Sequence, residues 1–290
     1  MNYVPLKAFR IIVLFIGVLV SFSACKSRPY DANVSSYPET KLGWKLGAQA
    51  YTFNRFSFFE AIDKIDSCDL GYVEAYPNQI LGGGIPGKMD FKMEESKRKL
   101  ILDRLKEKGV KMQSFGVVKV KDPNDWRDVF EFCKYMGVET ITSEPVLTDL
   151  PLISKLADEF KINVAIHNHP DPSIYWNPET VLSALEGQNK RIGACADVGH
   201  WIRSGLDPIE SLKKLEGRVF QLHMKDLNEK NNRKAHDVIW GTGISNIQGI
   251  VAELKRQKFN GIISVEYEHN WYNSREDVAK SVQYFRTLVN

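Results

Sequence analysis

The feature that most constrains the fold is a strict alternation running from Trp44 to the C-terminus. Short β-favouring runs occur at Lys45–Thr52, Tyr72–Tyr76, Lys111–Val118, Thr140–Ser143, Asn163–His167, Ile192–Asp197, Val219–Met224 and Gly261–Glu266. Between and after them lie amphipathic runs with helical spacing: Phe58–Ser67, Glu94–Lys108, Trp126–Met136, Leu150–Phe160, Pro178–Glu186, Pro208–Leu215, Ile247–Gln257 and Arg275–Val289. Start and stop signals support these helices. Asp125 stands before Trp126, Asn177 precedes Pro178 at a first helical position, and Gly109 follows Lys108. Strands that alternate with helices must pair in parallel, because each crossover returns the chain to the same edge direction. At ~250 residues the solution that leaves no sheet edge is a closed (β/α)8 TIM barrel, here expected as one α/β domain over 44–290. A doubly wound open sheet is the competing arrangement. It is disfavoured because Ala50-Tyr51-Thr52-Phe53, and no glycine-rich phosphate loop, follows the first strand.

The N-terminus has a separate character. Lys7 and Arg10 precede the apolar run Ile11–Val20, and Ser21, Ser23, Ala24 and Cys25 follow. A basic start, a short apolar core and a small-residue exit read as a secretory signal peptide over 1–25. The run is too short for a bilayer span, which needs ~20 residues. Phe22-Ser23-Ala24-Cys25 resembles a bacterial lipobox, which implies lipidation at Cys25 and a periplasmic or cell-envelope lipoprotein attached to the membrane only through its acyl chains. Residues 26–43 are polar and proline-containing at their start and read as a flexible tether. The net charge of +3 is nearly balanced, and no basic stripe with interleaved aromatics appears, so nucleic acid is not expected as a partner. Cys68, Cys133 and Cys195 form no CxxC pair and read as small buried hydrophobes.

In such barrels chemistry gathers at the C-terminal strand ends. Strand four ends in Thr142-Ser143-Glu144-Pro145, strand five in His167-Asn168-His169-Pro170 and strand six in Asp197-Val198-Gly199-His200. Strand seven ends in His223-Met224-Lys225-Asp226 and strand eight in Glu266-Tyr267-Glu268; strand two offers only Glu74. Four of the six histidines therefore converge with several carboxylates. Imidazoles and carboxylates at one place are the donor set for a divalent metal, and without a cation the carboxylates would repel one another and take up protons. Taken singly the same residues have structural readings. Glu144 suits a loop, His167 a satisfied core position, and Asp197 or His223 a helix cap.

The H-N-H, D-x-G-H, H-x-K-D and V-E elements (His167–His169, Asp197–His200, His223–Asp226, Val265-Glu266) resemble those of the xylose isomerase-like TIM-barrel superfamily of sugar phosphate isomerases and epimerases. The resemblance implies one divalent ion (manganese, zinc, cobalt, iron or magnesium) held by Asp197, His223 and Glu266. Many members have Glu at the end of strand five; here either His167 or Glu144 completes the set. It further implies His169, Lys225 and Glu266 as catalytic groups, with His200, Lys225 and His236 near the substrate. Trp201 is a candidate for stacking on a sugar ring, with Tyr51, Phe53, Tyr76, Trp176 and Tyr267.

The expected function is metal-stabilised enediolate chemistry on a small-molecule sugar. The outcome would be isomerisation, epimerisation, or lyase and hydratase chemistry on 3-keto-glycosides or their 2-hydroxy-glycal products. Export favours an unphosphorylated sugar. A non-catalytic sugar-binding lipoprotein is the alternative, an AP-endonuclease-like phosphodiesterase is disfavoured by the missing basic face, and homo-oligomerisation is left open.

Overall fold

A computed structural model describes Met1 and residues 37–290; the rest of the segment expected as a signal peptide, with Cys25, lies outside the described residues. Eight parallel strands close a barrel: β1 (Lys45–Gln49), β2 (Tyr72–Ala75), β3 (Lys111–Val118), β4 (Thr140–Ser143), β5 (Asn163–His167), β6 (Ile192–Asp197), β7 (Val219–Met224) and β8 (Ile262–Val265). Each pairs with its neighbours in chain order, and β1 pairs with β8 to complete the ring. The expected (β/α)8 barrel is the observed one, with most strand and helix bounds within a residue or two of the sequence pattern.

The surrounding helices are α1 (Phe58–Ser67), α2 (Glu95–Lys108), α3 (Asp125–Met136), α4 (Leu150–Phe160), α5 (Pro178–Leu185), α6 (Val198–Arg203), α7 (Pro208–Lys214), α8 (Ile247–Arg256) and α9 (Ser274–Val289). Local chemistry explains their ends. Ser57 and Glu60 form a reciprocal capping box at α1, and the Asn177 side chain accepts from Thr180 N–H ahead of Pro178 at α5. Gly109 ends α2 at φ 64°, a left-handed conformation that suits glycine. Asp125, expected as a cap, is instead the first residue of α3. Burial then fixes the inward faces: Phe58, Ala61, Ile62 and Ile65 of α1 recur at helical spacing and are all buried. Each large apolar side chain buried this way contributes about 1.5–3 kcal/mol.

Part of the segment expected as tether belongs to the barrel domain. Pro38–Leu42 forms a 3-10 helix whose Glu39 is buried. Arg286 of α9 grips that carboxylate at 2.9 Å and lies 3.8 Å above the Tyr37 ring. A buried carboxylate held this way by guanidinium ties the segment to the last helix, so the domain begins before Trp44.

The barrel interior carries a polar layer where Val, Ile and Leu are usual. Glu74 of β2, Thr142 of β4, Gln221 of β7 and Ser264 of β8 point inward and are buried. They form one network, in which Thr142 Oγ1, Gln221 Nε2 and Ser264 Oγ all bond the Glu74 carboxylate. The layer lies directly beneath the strand ends that carry the clustered imidazoles and carboxylates.

Candidate metal centre

Strand register brings the key side chains together. Asp197 at the end of β6 pairs with His223 on β7, and His223 pairs with Ser264 on β8. Side chains alternate along a strand, so Glu266, two residues beyond Ser264, falls on the same inner face as His223. His167 ends β5 one strand further round, and its neighbour in register is Cys195 of β6. These four residues are buried, and their donor atoms all lie within 4.8 Å of one another. His167 Nε2 is 3.6 Å and His223 Nδ1 3.8 Å from Asp197 Oδ2, and His223 Nδ1 is 3.0 Å from Glu266 Oε2.

Three of these atoms, His167 Nε2, His223 Nδ1 and Glu266 Oε2, are buried without an aligned hydrogen bond. The approaches of His223 and Lys225 to Glu266 Oε2, at 3.0 and 2.8 Å, are close but off-axis. Buried polar atoms are rarely left so, because each costs about 1–3 kcal/mol. Two imidazole nitrogens and a carboxylate oxygen beside a second carboxylate, all within 4.8 Å of one another, form a donor set that could hold a divalent cation.

The groups behind the donors aim them. Glu74 accepts from His223 Nε2 at 2.7 Å, which fixes the ring with Nδ1 facing the cluster. Asp197 serves twice: Oδ1 caps α6 by accepting His200 N–H at 2.8 Å, while Oδ2 faces the cluster. Lys225 Nζ meets Asp197, Glu266 and Glu268 at 2.8, 2.8 and 3.0 Å. Burial disfavours a charged lysine, yet these carboxylates outweigh it and hold the Lys225 ammonium well above its ordinary range. Burial likewise works against ionised Glu266, and Lys225 with His223 reverses it, keeping the carboxyl well below the usual range. Gly199 in α6 is required by packing, since a Cβ there would sit 2.7 Å from Lys225 Cβ.

The sequence alone left His167 and Glu144 as equal claimants for the fourth position. The fold separates them: Nε2 of His167 faces Asp197, and Nδ1, on the other side of the ring, faces Glu144 at 3.5 Å. Glu144 also binds His169 Nδ1, accepts His169 N–H at 3.0 Å and meets Lys119 Nζ at 2.9 Å. Burial raises the Glu144 carboxyl, but the bonds from His167 and His169 outweigh it and hold it ionised, well below the ordinary carboxylate range. Glu144 thus sits behind two histidines, and His167 joins Asp197, His223 and Glu266.

A cavity of about 380 Å³ opens above the cluster, within the roughly 300–1,000 Å³ typical of small-molecule sites. His167, His169, His200, Glu266 and Glu268 line one side, and Lys119, Gln49, Tyr51 and Tyr76 the other. Three expected substrate contacts need correction. Trp201 is fully buried and is not among the residues lining this cavity, because α6 turns by ~100° per residue and sends it into the core when His200 faces the site. Lys225 is fully buried behind the carboxylates it neutralises. His236 is exposed, stacks on His269 with ring centroids 4.4 Å apart, and lines a different groove with Tyr267 and Thr242. Of the other aromatics only Tyr51 and Tyr76 face the cavity, packed edge to face at 5.2 Å. His236→Ala is accordingly expected to change kcat/KM by no more than about twofold, as surface substitutions usually do; steady-state kinetics of that variant checks the correction.

The chain matches the family model for xylose isomerase-like TIM barrels over residues 62–288, and it belongs to that family. No curated protein matches its sequence significantly. A solved structure of an uncharacterised protein from Parabacteroides distasonis is 36% identical, covering 84% of this chain and 99% of that one with a TM-score of 0.70. A D-tagatose 3-epimerase-like protein shares the fold at 17% identity (84% and 97% coverage, TM-score 0.67). So does a D-allulose 3-epimerase from a Methylomonas species at 13% (84% and 98%, TM-score 0.68).

Proposed function

We propose that this protein is a divalent-metal enzyme acting on an unphosphorylated keto-sugar, with His167, Asp197, His223 and Glu266 as the ligands. The observation that carries this reading is the clustering of His167 Nε2, His223 Nδ1 and Glu266 Oε2, buried beside Asp197 with donor atoms within 4.8 Å of one another and without an aligned hydrogen bond. Bound there, a divalent cation would polarise a sugar carbonyl and acidify the neighbouring C–H. The fold shared with a D-allulose 3-epimerase is in keeping with a sugar as substrate. An exported, lipid-anchored location, read from residues 1–25, supports it too, because phosphorylated sugars are scarce outside the cytoplasm.

The chain's own groups supply the proton chemistry. Glu144, held ionised, fixes the His169 ring by its Nδ1, which leaves Nε2 free to take or return a proton at the cavity wall. The His169 side chain is 43% exposed, so its ring is open to solvent and to the cavity, in contrast to the buried His167. Glu268, aligned by Lys225 and by Arg203 at 3.1 Å, is a second carboxylate at the cavity edge. His200 and Tyr51 present polar atoms toward the sugar hydroxyls.

The test is incubation of the metal-loaded protein with free ketoses and 3-keto-glycosides in deuterated water, followed by NMR. Deuterium appearing at the carbon beside the carbonyl, and lost in His169→Ala, is expected. Turnover with no solvent label in any product would contradict a solvent-exchanging base, and no turnover of any keto-sugar by metal-loaded protein would overturn the assignment.

A further inference from the structure

The turns that join each helix to the next strand lie at the N-terminal ends of the strands, on the face of the barrel opposite the metal cavity. Their charge is uneven. Lys41, Lys106, Lys134, Lys190, Lys255 and Lys258 stand on this face, all exposed and none ion-paired with a described carboxylate. Most carboxylates there are taken by other cations: Glu107 by Arg104, Glu139 by Lys45, Asp158 by Lys161, Glu159 by Arg127 and Glu216 by Arg256. Among the described residues of these turns, Asp69 and Glu186 are left to oppose the six lysines. Lys106, Lys134 and Lys255 sit in final helical turns, where a cation also offsets the helix dipole. Lys190 and Lys258 lie outside the helices and owe nothing to it. No stretch of sequence displays this face, because the lysines come from five separate turns that closure of the barrel gathers. The chain also enters the barrel here, since the 3-10 helix Pro38–Leu42 leads directly into β1. Cys25, the expected lipidation site, stands twelve residues before Tyr37, a reach of at most about 40 Å. An anchor at Cys25 would keep this face near the bilayer, with Lys26 and Arg28 as two further cations between them.

We propose that the N-terminal face of the barrel is a docking surface for a bilayer rich in anionic phospholipid headgroups, which turns the cavity mouth away from the membrane toward soluble substrate. Exposed lysines close to such a surface add their attraction one by one, and the sum fades beyond a Debye length, about 10 Å at 0.1 M salt. The face lies on the far side of the barrel from the cavity, so it does not lead a nucleic acid to the metal. Docking is independent of the metal reading. The membrane as partner rests on the export and lipidation expected from residues 1–25.

Energy transfer from a dye on the full lipidated chain to acceptor-labelled headgroups tests this, in vesicles of phosphatidylcholine alone or mixed with an equal part of phosphatidylglycerol. Cys68, Cys133 and Cys195 are buried, so a cysteine introduced by Asn260→Cys on this face, or by Ile244→Cys at the mouth, takes the dye, with the parent chain as blank. In the mixed vesicles transfer from position 260 should exceed that from position 244 severalfold. The excess should collapse at about 1 M salt, where the Debye length is about 3 Å. In a chain carrying Lys106→Gln, Lys134→Gln, Lys190→Gln and Lys258→Gln the docked-to-free ratio should fall by about tenfold or more. Near-UV circular dichroism verifies that this variant is folded, and the salt series needs no variant. Equal transfer from both positions in mixed vesicles would overturn the docking surface, as would an excess of the same size in phosphatidylcholine alone, at high salt or in the folded variant. Lysine-dependent binding of heparin, a soluble polyanion, with no response to phosphatidylglycerol would overturn the membrane as partner. Mass spectrometry of the Cys25 peptide from the same sample reads the anchor separately. Phosphatidylglycerol-dependent transfer with an unmodified Cys25 upholds the face and removes the anchor, and a lipidated Cys25 without that transfer does the reverse.

Discussion

His167→Ala and His223→Ala are each expected to lose the stoichiometric cation and to lower kcat/KM on a keto-sugar by ~10³-fold or more. The cation's charge stabilisation is worth several kcal/mol, and each 1.36 kcal/mol is tenfold in rate. Glu144→Ala should behave differently. Its carboxylate touches the ring of His167 on the side away from Asp197, so its loss should weaken metal affinity by about 10–100-fold, the usual effect of an outer-shell partner, without abolishing binding. Equilibrium dialysis with metal analysis reads the first quantity and steady-state kinetics the second. If Glu144→Ala abolished binding and His167→Ala retained it, the order of the two residues would be reversed.

The largest expected effect on stability lies one layer down. Glu74 collects Thr142, Gln221, Ser264 and His223 in the barrel interior, and all five side chains are buried. Glu74→Ala leaves those donors facing an apolar gap, and breaking a buried charged network from one side costs about 3–5 kcal/mol. In a domain of this size that corresponds to a fall in Tm of roughly 10 °C. Glu74→Gln keeps the volume and one acceptor oxygen, so its Tm should fall less. His223 nevertheless loses its charged partner, and metal affinity should still drop by about 10–100-fold. Thermal melts with and without added metal separate the two contributions. A Glu74→Ala protein that melts with the wild type would show that the polar layer does not support the barrel.

How much of this was visible in the chain before folding depends on which physical signal carries it. Strand and helix positions follow from hydrophobic period, and those of β3 to β7 match the sequence pattern to the residue. The Asp197, His223 and Glu266 positions were legible because each stands at or beside the end of an apolar strand, within elements that resemble those of the xylose isomerase-like barrels. His167 against Glu144 was not, since both stand at strand ends and only the direction of the imidazole ring separates them. Glu74 was seen merely as a lone carboxylate on strand two, because its partners come from three other strands and no local spacing reveals them. Trp201 was misplaced for a related reason: it follows His200 directly, and the helix that Asp197 caps sends adjacent side chains in different directions. Asp226, the last residue of the H-x-K-D element, accepts N–H groups from Gly241, Gly243 and Ser245 at 2.8 to 2.9 Å and so organises a loop.

The most direct test of the central claim is an anomalous-diffraction experiment on crystals grown with manganese or zinc, collected at the absorption edge of the added metal. The account predicts one strong peak coordinated by His167 Nε2, Asp197 Oδ2, His223 Nδ1 and Glu266 Oε2. A peak held instead by Glu144, His167 and His169, which form the other possible donor group among the described residues, would contradict it. So would the absence of any peak at full metal saturation.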